Sequence, residues 1–274
     1  MINRHLPLML GALAVAGCAG ARGPTYEFGP TEAPLLYTFT NHGTLLTETP
    51  MGQQRQTDST AATLVLEIGA SEAAGCRVTA TFEALDFWIG SDGRRQHTGG
   101  GELLGQPFTG TLAGDGTITV TAAPEIPASL EALGDPSELF NDLLPPLPPG
   151  GDEAAESWEH KVTETADGVM TVETSYDGTA SFAGDTTWNG VAARVILSEG
   201  TTTTTGRGTP EGAPGEIEFT MSGKTVIRYI WDPRGGTMLA SNSSTEAEGE
   251  IEVIAMGMTM PISYRGGSDV RLAR

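Results

Sequence analysis

The sequence has little positive charge and few cysteines. Its 274 residues include 15 lysines and arginines against 35 aspartates and glutamates, which gives a formal net charge of −20. This deficit excludes a nucleic acid partner, because binding to phosphates relies on clustered lysine and arginine. Charged residues are only 18 % of the chain and hydrophobic residues 38 %. Such a composition does not fit a disordered chain or a coiled coil, and it is apolar enough to bury a core.

Motifs that carry chemistry are also missing. After the first twenty residues the histidines are His42, His97 and His160, and no metal-ligand spacing relates them. No C-x-x-C pair, acidic calcium loop or G-x-S-x-G nucleophile motif occurs. We therefore expect no catalytic residue, no metal and no cofactor. A hydrolase built on one of the many carboxylate pairs stays open.

The N-terminus has the pattern of a signal peptide. In residues 1–17, Arg4 precedes an apolar run from Leu6 to Ala16 that is too short to span a bilayer. The run ends in Val15-Ala16-Gly17-Cys18, which resembles the lipobox of bacterial lipoproteins. The resemblance implies that Cys18 is lipidated and that a membrane is a partner through this anchor. The alternative is a plain secretory signal in which Cys18 is incidental.

The residues that follow indicate a destination. Ala19 and Gly20 replace the aspartate that retains lipoproteins in the inner membrane, so the resemblance implies an outer-membrane lipoprotein facing the periplasm. Proline and glycine without periodicity predict that residues 18–34 are the lipidated cysteine and a flexible tether. Cys76, which then has no disulfide partner, is expected to be buried near a strand end.

Alternating patterns dominate residues 35–272 and predict about a dozen antiparallel strands in a single domain. Hairpin turns are predicted at Asp115-Gly116, Asp167-Gly168, Asp177-Gly178 and Asn189-Gly190. Five consecutive threonines, Thr201–Thr205, are typical of an exposed edge or an overhanging hairpin. The fold class is mainly β, either a strongly curved antiparallel sheet or a half-open β-barrel.

Two predicted strands, residues 77–89 and 225–231, carry apolar side chains on both faces. This pattern indicates either a bulge that switches the buried face or a sheet that is covered on both sides.

Helical spacing is confined to residues 125–144, where it predicts two short helices. A proline-rich connector, residues 145–151, ends the segment and joins the two halves of the domain. Because the apolar stripe must be covered, we expect the helices to pack on the concave side of the sheet.

A methionine-rich pattern follows in residues 250–262, which are predicted to be one strand. Ile254, Met256, Met258 and Met260 share one face of it. Methionine is flexible and suits adaptable apolar surfaces, so these residues, with Trp231, are the candidate apolar ligand-facing set. The alternative is an ordinary core beneath the helices.

The order of motifs resembles a family of uncharacterised bacterial lipoproteins, classed as a domain of unknown function. The matching segments are Leu36–Phe39, Leu112–Gly116, Glu138–Phe140, Leu143–Pro148, Ser157-Trp158 and Tyr229–Gly236. Glu156-Ser157 stands where the family usually has Gly-Asp before its central tryptophan. The strand-rich layout also resembles the half-open β-barrels of periplasmic lipoprotein carriers.

Two hypotheses follow. In the first, a lipid-anchored envelope protein binds a hydrophobic ligand or a lipidated partner in the sheet concavity. In the second, it is a structural or protein-interaction module of the outer membrane, with a filled core and an envelope protein as its partner. The volume enclosed by the sheet distinguishes them.

Overall fold

The computed structural model describes residues 26–72, 75–91, 94–127, 130, 136–140, 143–167, 170–210 and 215–273. The predicted signal peptide, the lipobox residues Val15, Ala16 and Gly17, and Cys18 lie outside these residues. Within the described ranges no helix is long and apolar enough to cross a membrane.

Long strands make up most of the molecule, which confirms the mainly β fold. They are β1 (Leu35–Thr49), β2 (Gly52–Glu72), β3 (Gly75–Ser91), β4 (Arg94–Gly99), β5 (Pro107–Leu112), β6 (Ile118–Ala122), β7 (Trp158–Asp167), β8 (Met170–Trp188), β9 (Val191–Gly208), β10 (Ile217–Asp232), β11 (Thr237–Val253) and β12 (Met258–Ala273). All twelve belong to one antiparallel sheet in the order β6-β5-β3-β2-β1-β12-β11-β10-β9-β8-β7, with β4 paired to β3. The sheet is not closed, since β6 and β7 are its two edges.

Two of the four predicted hairpin turns are present, and a third, at Asp167-Gly168, includes a residue outside the described ranges. Asp115-Gly116 lies between β5 and β6, and Asn189-Gly190 joins β8 to β9 with φ angles of 47° and 84°. The turn at Asp177-Gly178 is wrong, because β8 continues through it. Gly178 is needed there for another reason: a Cβ would collide with the ring of Tyr176, which folds back over the strand.

The strands with two apolar faces have two different explanations. In β3, Phe82 pairs with Leu64 and Ala84 with Thr63, so Glu83 is an extra residue in a bulge that turns Leu85 toward the core. In β10, Trp231 lies in the main core, whereas Ile230 is buried in a second, small cluster. Both alternatives from the sequence therefore occur, one in each strand.

The main core fills the concave side of the first half of the sheet and continues across the second half through residues such as Trp158, Ile196 and Trp231. Phe140 stacks on Phe82 at 5.5 Å between ring centroids and meets Phe108 edge-on at 5.2 Å. We call Leu130 and residues 136–140 and 143–148 the plug. The plug packs on the concave side as expected, but Pro136–Phe140 is a 3₁₀ turn and residues 145–148 have no regular structure. The second predicted helix is thus present as this short 3₁₀ helix; of the first, Leu130 is helical, and residues 128, 129 and 131–135 lie outside the described part.

The end of the predicted tether belongs to this core. Tyr26 and Phe28 are only 2 % and 9 % exposed. Phe28 meets Trp231 edge-on at 5.3 Å, and Arg194 Nη1 donates a hydrogen bond of 2.8 Å to the Tyr26 hydroxyl. Because aromatic side chains at these positions bury apolar area, the chain from Tyr26 onward is not a flexible linker. Cys76 is buried beside them, as expected.

Candidate functional site

The second half of the sheet encloses a cavity of about 400 Å³, which we call the cleft. Side chains of β1 and of β7 to β12 line it on the concave face. The main lining residues are Asn41, Val162, Glu164, Tyr176, Thr202, Thr204, Met221, Thr225, Ile227, Ser243, Thr245, Tyr264 and Ser268. Strand alternation brings these residues together, because every second side chain of each strand points to the same face.

Hydroxyl groups form the floor of the cleft. The Oγ1 atom of Thr225 lies 2.6 Å from that of Thr202 and 2.9 Å from that of Thr245, which joins three neighbouring strands. The Oγ atoms of Ser243 and Ser268 are also hydrogen-bonded, at a distance of 2.8 Å. A hydroxyl can donate or accept. The floor can therefore reorient its hydrogen bonds toward either kind of polar group on a ligand.

A buried histidine lies at the inner end of the cleft. His160 Nδ1 is 2.9 Å from Ser198 Oγ, and the Tyr176 hydroxyl is 2.7 Å from the same oxygen. Burial lowers the pKa of His160 to about 4, an effect that the charge of Asp115 opposes. Ser198 is completely buried. Although a serine and a histidine are within hydrogen-bond distance, this serine cannot reach a substrate, so the group is a structural network and not a nucleophile with its base.

The opposite wall of the cleft carries Tyr264 and an unsatisfied amide. The Tyr264 ring lies over Gly43 and Gly266, where a Cβ would collide with it. Burial, with a smaller contribution from the Asp58 carboxylate, raises the pKa of Tyr264 to about 12. Asn41 Oδ1 is buried and has no hydrogen-bond partner in the described part of the protein. An unpaired buried acceptor is costly, so this atom is a natural contact for a donor on a ligand.

The same face becomes apolar toward the tips of the strands. Met258 pairs with Val253, and Met260 pairs with Ile251. We call the half-buried inward side chains of this region the apolar rim; they are Ile217, Phe219, Met221, Ile251, Met258 and Met260. Met221 also lines the cleft, so the hydroxyl floor and the apolar rim are continuous.

The structure separates the other candidate residues from this set. Ile254 and Met256 lie in a 3₁₀ turn between β11 and β12 and are 39 % and 59 % exposed. The single strand expected over 250–262 is wrong, because Gly257 adopts a left-handed φ of 57° and the chain reverses there. Trp231 is fully buried next to Phe28 and does not line the cleft.

Sequence reasoning missed the threonines of the cleft. Thr201–Thr205 is not an exposed edge, since β9 is paired on both sides with β8 and β10. Its alternate residues, Thr202 and Thr204, point into the cleft. The nearby Gly200 and Gly206, which lie beneath the rings of Tyr176 and Phe219, are the signal that could have indicated an interior strand.

No protein-family model matches the chain, and no curated protein is significantly similar to it. The resemblance to a lipoprotein family therefore stays a prediction. Within the described ranges, no group of three or more histidine, cysteine, aspartate or glutamate residues is arranged to hold a metal ion.

Proposed function

We propose that this protein is a lipid-anchored protein of the bacterial outer membrane, facing the periplasm, which binds an amphipathic ligand or a lipidated partner along its concave face. It acts as a binding protein and not as an enzyme. The observation that supports this function is a cleft of about 400 Å³ whose hydroxyl floor continues into the apolar rim. This volume is within the range of small-molecule sites, roughly 300–1,000 Å³.

The chemistry of the face selects the kind of ligand. The hydroxyls of Thr202, Thr225 and Thr245 suit a polar group, whereas the methionines of the rim suit a hydrocarbon chain. Glu164 is the charged residue among the described lining residues, and no lysine or arginine is among them. The polar group is therefore neutral or carries an amine, since an isolated phosphate would find no cation to pair with it.

The packed interior beneath the plug favours a second candidate, a structural or protein-interaction module that binds no ligand. Phe82, Phe108 and Phe140 fill this interior. A ligand-binding measurement at the cleft separates the two candidates.

The anchor is tested on the purified full-length protein by intact mass spectrometry. We expect a mass that lacks residues 1–17 and carries acyl chains on Cys18. A mature N-terminus at a later residue without acyl chains would overturn the lipobox prediction and leave the cleft proposal standing.

Ligand binding is tested with two tryptophan variants at neighbouring positions of β9. Thr204→Trp fills the cleft, whereas Thr205→Trp adds the same bulk on the exposed outer face. Membranes that contain each full-length variant are incubated with a photoactivatable monopalmitoylglycerol, whose polar group is neutral, and the labelled peptides are quantified. We expect the natural protein and Thr205→Trp to be labelled alike on the strands of the cleft, and Thr204→Trp at least fivefold less. Equal labelling of the two variants, or none of the natural protein, would favour the ligand-free module.

A further inference from the structure

The two edges of the sheet lie close to each other across a groove that we call the seam. Residues 117–120, at β6, face residues 160–163 of β7 across a volume of about 420 Å³. In the described part of the chain no strand pairs with the outer side of either edge. Such edges expose rows of N–H and C=O groups and are templates for pairing with another strand.

Strand direction determines what the seam can accept. Every neighbouring pair along the sheet is antiparallel, and an even number of steps separates β6 from β7. The two edges therefore run in the same direction. One extended segment that runs the opposite way would be antiparallel to both edges, so a single strand would complete the barrel.

The plug bridges the two sides of the seam. Leu147 N–H donates to the Asp115 carbonyl at 3.1 Å, and Trp158 Nε1 donates to the Pro146 carbonyl at 3.2 Å. The plug is thus fixed to both edges. It cannot act as the missing strand itself, because Pro145, Pro146 and Pro148 have no N–H to donate.

The pairing pattern shows which groups face the seam. Ala113 N–H donates to the Thr117 carbonyl at 2.9 Å, so this pair is hydrogen-bonded to the β5 side. Alternation then directs the N–H and C=O of Thr119 toward β5, and those of Ile118 and Val120 toward the seam.

The charge around the seam favours a basic partner. Asp115 lies at one edge. At the other edge, Lys161 Nζ lies 3.4 Å from Glu159 Oε1 and 3.8 Å from Asp177 Oδ2, so two carboxylates already offset its charge. His160, whose pKa is lowered by burial, adds no positive charge at neutral pH.

We propose that the seam binds one extended, basic segment of a partner protein, which inserts as a strand antiparallel to both β6 and β7. Main-chain hydrogen bonds supply the affinity, and the acidic surroundings select lysine or arginine in the segment. This interaction is separate from ligand binding in the cleft.

The proposal is tested with a synthetic nine-residue peptide of alternating sequence, acetyl-KVTVKVTVK-amide, added to the detergent-solubilised full-length protein. Hydrogen–deuterium exchange should slow at both 117–120 and 160–163, because an inserted strand protects both edges at once. The same peptide with N-methyl groups at alternate residues, and the peptide with glutamate in place of lysine, should each bind at least tenfold more weakly in a fluorescence titration. Protection of one edge only, or equal binding of the N-methylated peptide, would overturn strand insertion.

A pair of variants at one residue tests the edge itself. Val120→Pro removes an N–H that faces the seam, and we expect it to weaken binding of the lysine peptide at least tenfold. Val120→Ala keeps the N–H while removing similar bulk, and it should bind within about twofold of the natural protein. Equal loss in both variants would show that packing, and not main-chain pairing, holds the peptide. Circular dichroism of both variants confirms that the sheet is retained.

Discussion

Along its strands the sheet has a plugged half, which contains Phe82, Phe108 and Trp231, and an open half, which contains the cleft. Both have the same alternation of inward and outward residues, yet only the plugged half has a filled interior. On the inward face of the plugged half stand large apolar side chains such as Phe82 and Phe108, and the plug covers them. On the inward face of the open half stand threonines and glycines such as Thr202 and Gly200. The strand pattern therefore sets the curved sheet, whereas the residue type at inward positions decides between a core and a cleft.

The uncovered half keeps its open volume through the way its aromatic rings lie. The ring of Tyr176 lies over Gly178 and Gly200, and that of Tyr264 over Gly43 and Gly266. A ring that packs on glycine backbone covers the strands and leaves the centre of the cleft free of side-chain atoms. Substitution of these glycines would push the rings into the cleft.

The largest contrast between the halves is expected from truncating an inward side chain in each. Phe140→Ala should lower the free energy of unfolding by about 3–5 kcal/mol, because it leaves a hole between Phe82 and Phe108. Met221→Ala, which truncates a half-buried side chain of the cleft, should cost about 1 kcal/mol. Urea unfolding of the two variants measures the difference. Equal losses would mean that the open half is as tightly packed as the plugged half.

A smaller effect is expected from the buried histidine between the halves. The pKa of His160 is about 4 in the folded protein and 6.5 in a model peptide, so between these values the unfolded state binds the additional proton. Stability should thus fall by about 2–3 kcal/mol as the pH drops from 6.5 to 4. His160→Phe removes this contribution, which is measured as the difference between the two unfolding curves over that pH range. Parallel curves would contradict a buried neutral histidine.

The smallest effect is expected from the hydroxyl floor. Thr225→Val keeps the shape of the side chain and removes its hydrogen bonds to Thr202 and Thr245. It should therefore lower the free energy of unfolding by about 1–2 kcal/mol. The matched change Thr205→Val, on the exposed face of β9, should leave the free energy of unfolding within about 0.5 kcal/mol of that of the natural protein. If both variants were neutral, the hydroxyl chain would be exchanging its bonds freely with water.

Local patterns predicted the strands and the sharp turns, and the reasons are physical. Asn189-Gly190 can take the positive φ angles that a two-residue hairpin needs, and it does. Asp177-Gly178 has the same chemistry, but the packing of Tyr176 on Gly178 is a contact that the dipeptide alone does not reveal.

The candidate site was less accessible to sequence reasoning. Met258 and Met260 do face the concave side, but Gly257 separates them from Met256 in space. Similarly, Trp231 fits an apolar site by composition, whereas Phe28, some two hundred residues away in sequence, covers it. Contacts of this range depend on the register of the whole sheet, which no short pattern contains.

The burial of Tyr26 has a consequence for the orientation of the protein under the proposed anchoring. Once Cys18 is acylated as proposed, the residues 19–25 between it and Tyr26 can span at most about 25 Å. Tyr26 contacts Arg194, near the start of β9, so residues 19–25 join the domain at the end that carries the plug. The strands run away from that end, and β8 with its 19 residues is about 60 Å long. The mouth of the cleft would then open toward the periplasm. The ligand would reach the cleft from a neighbouring soluble or opposing partner, and not from the leaflet in which the protein is anchored.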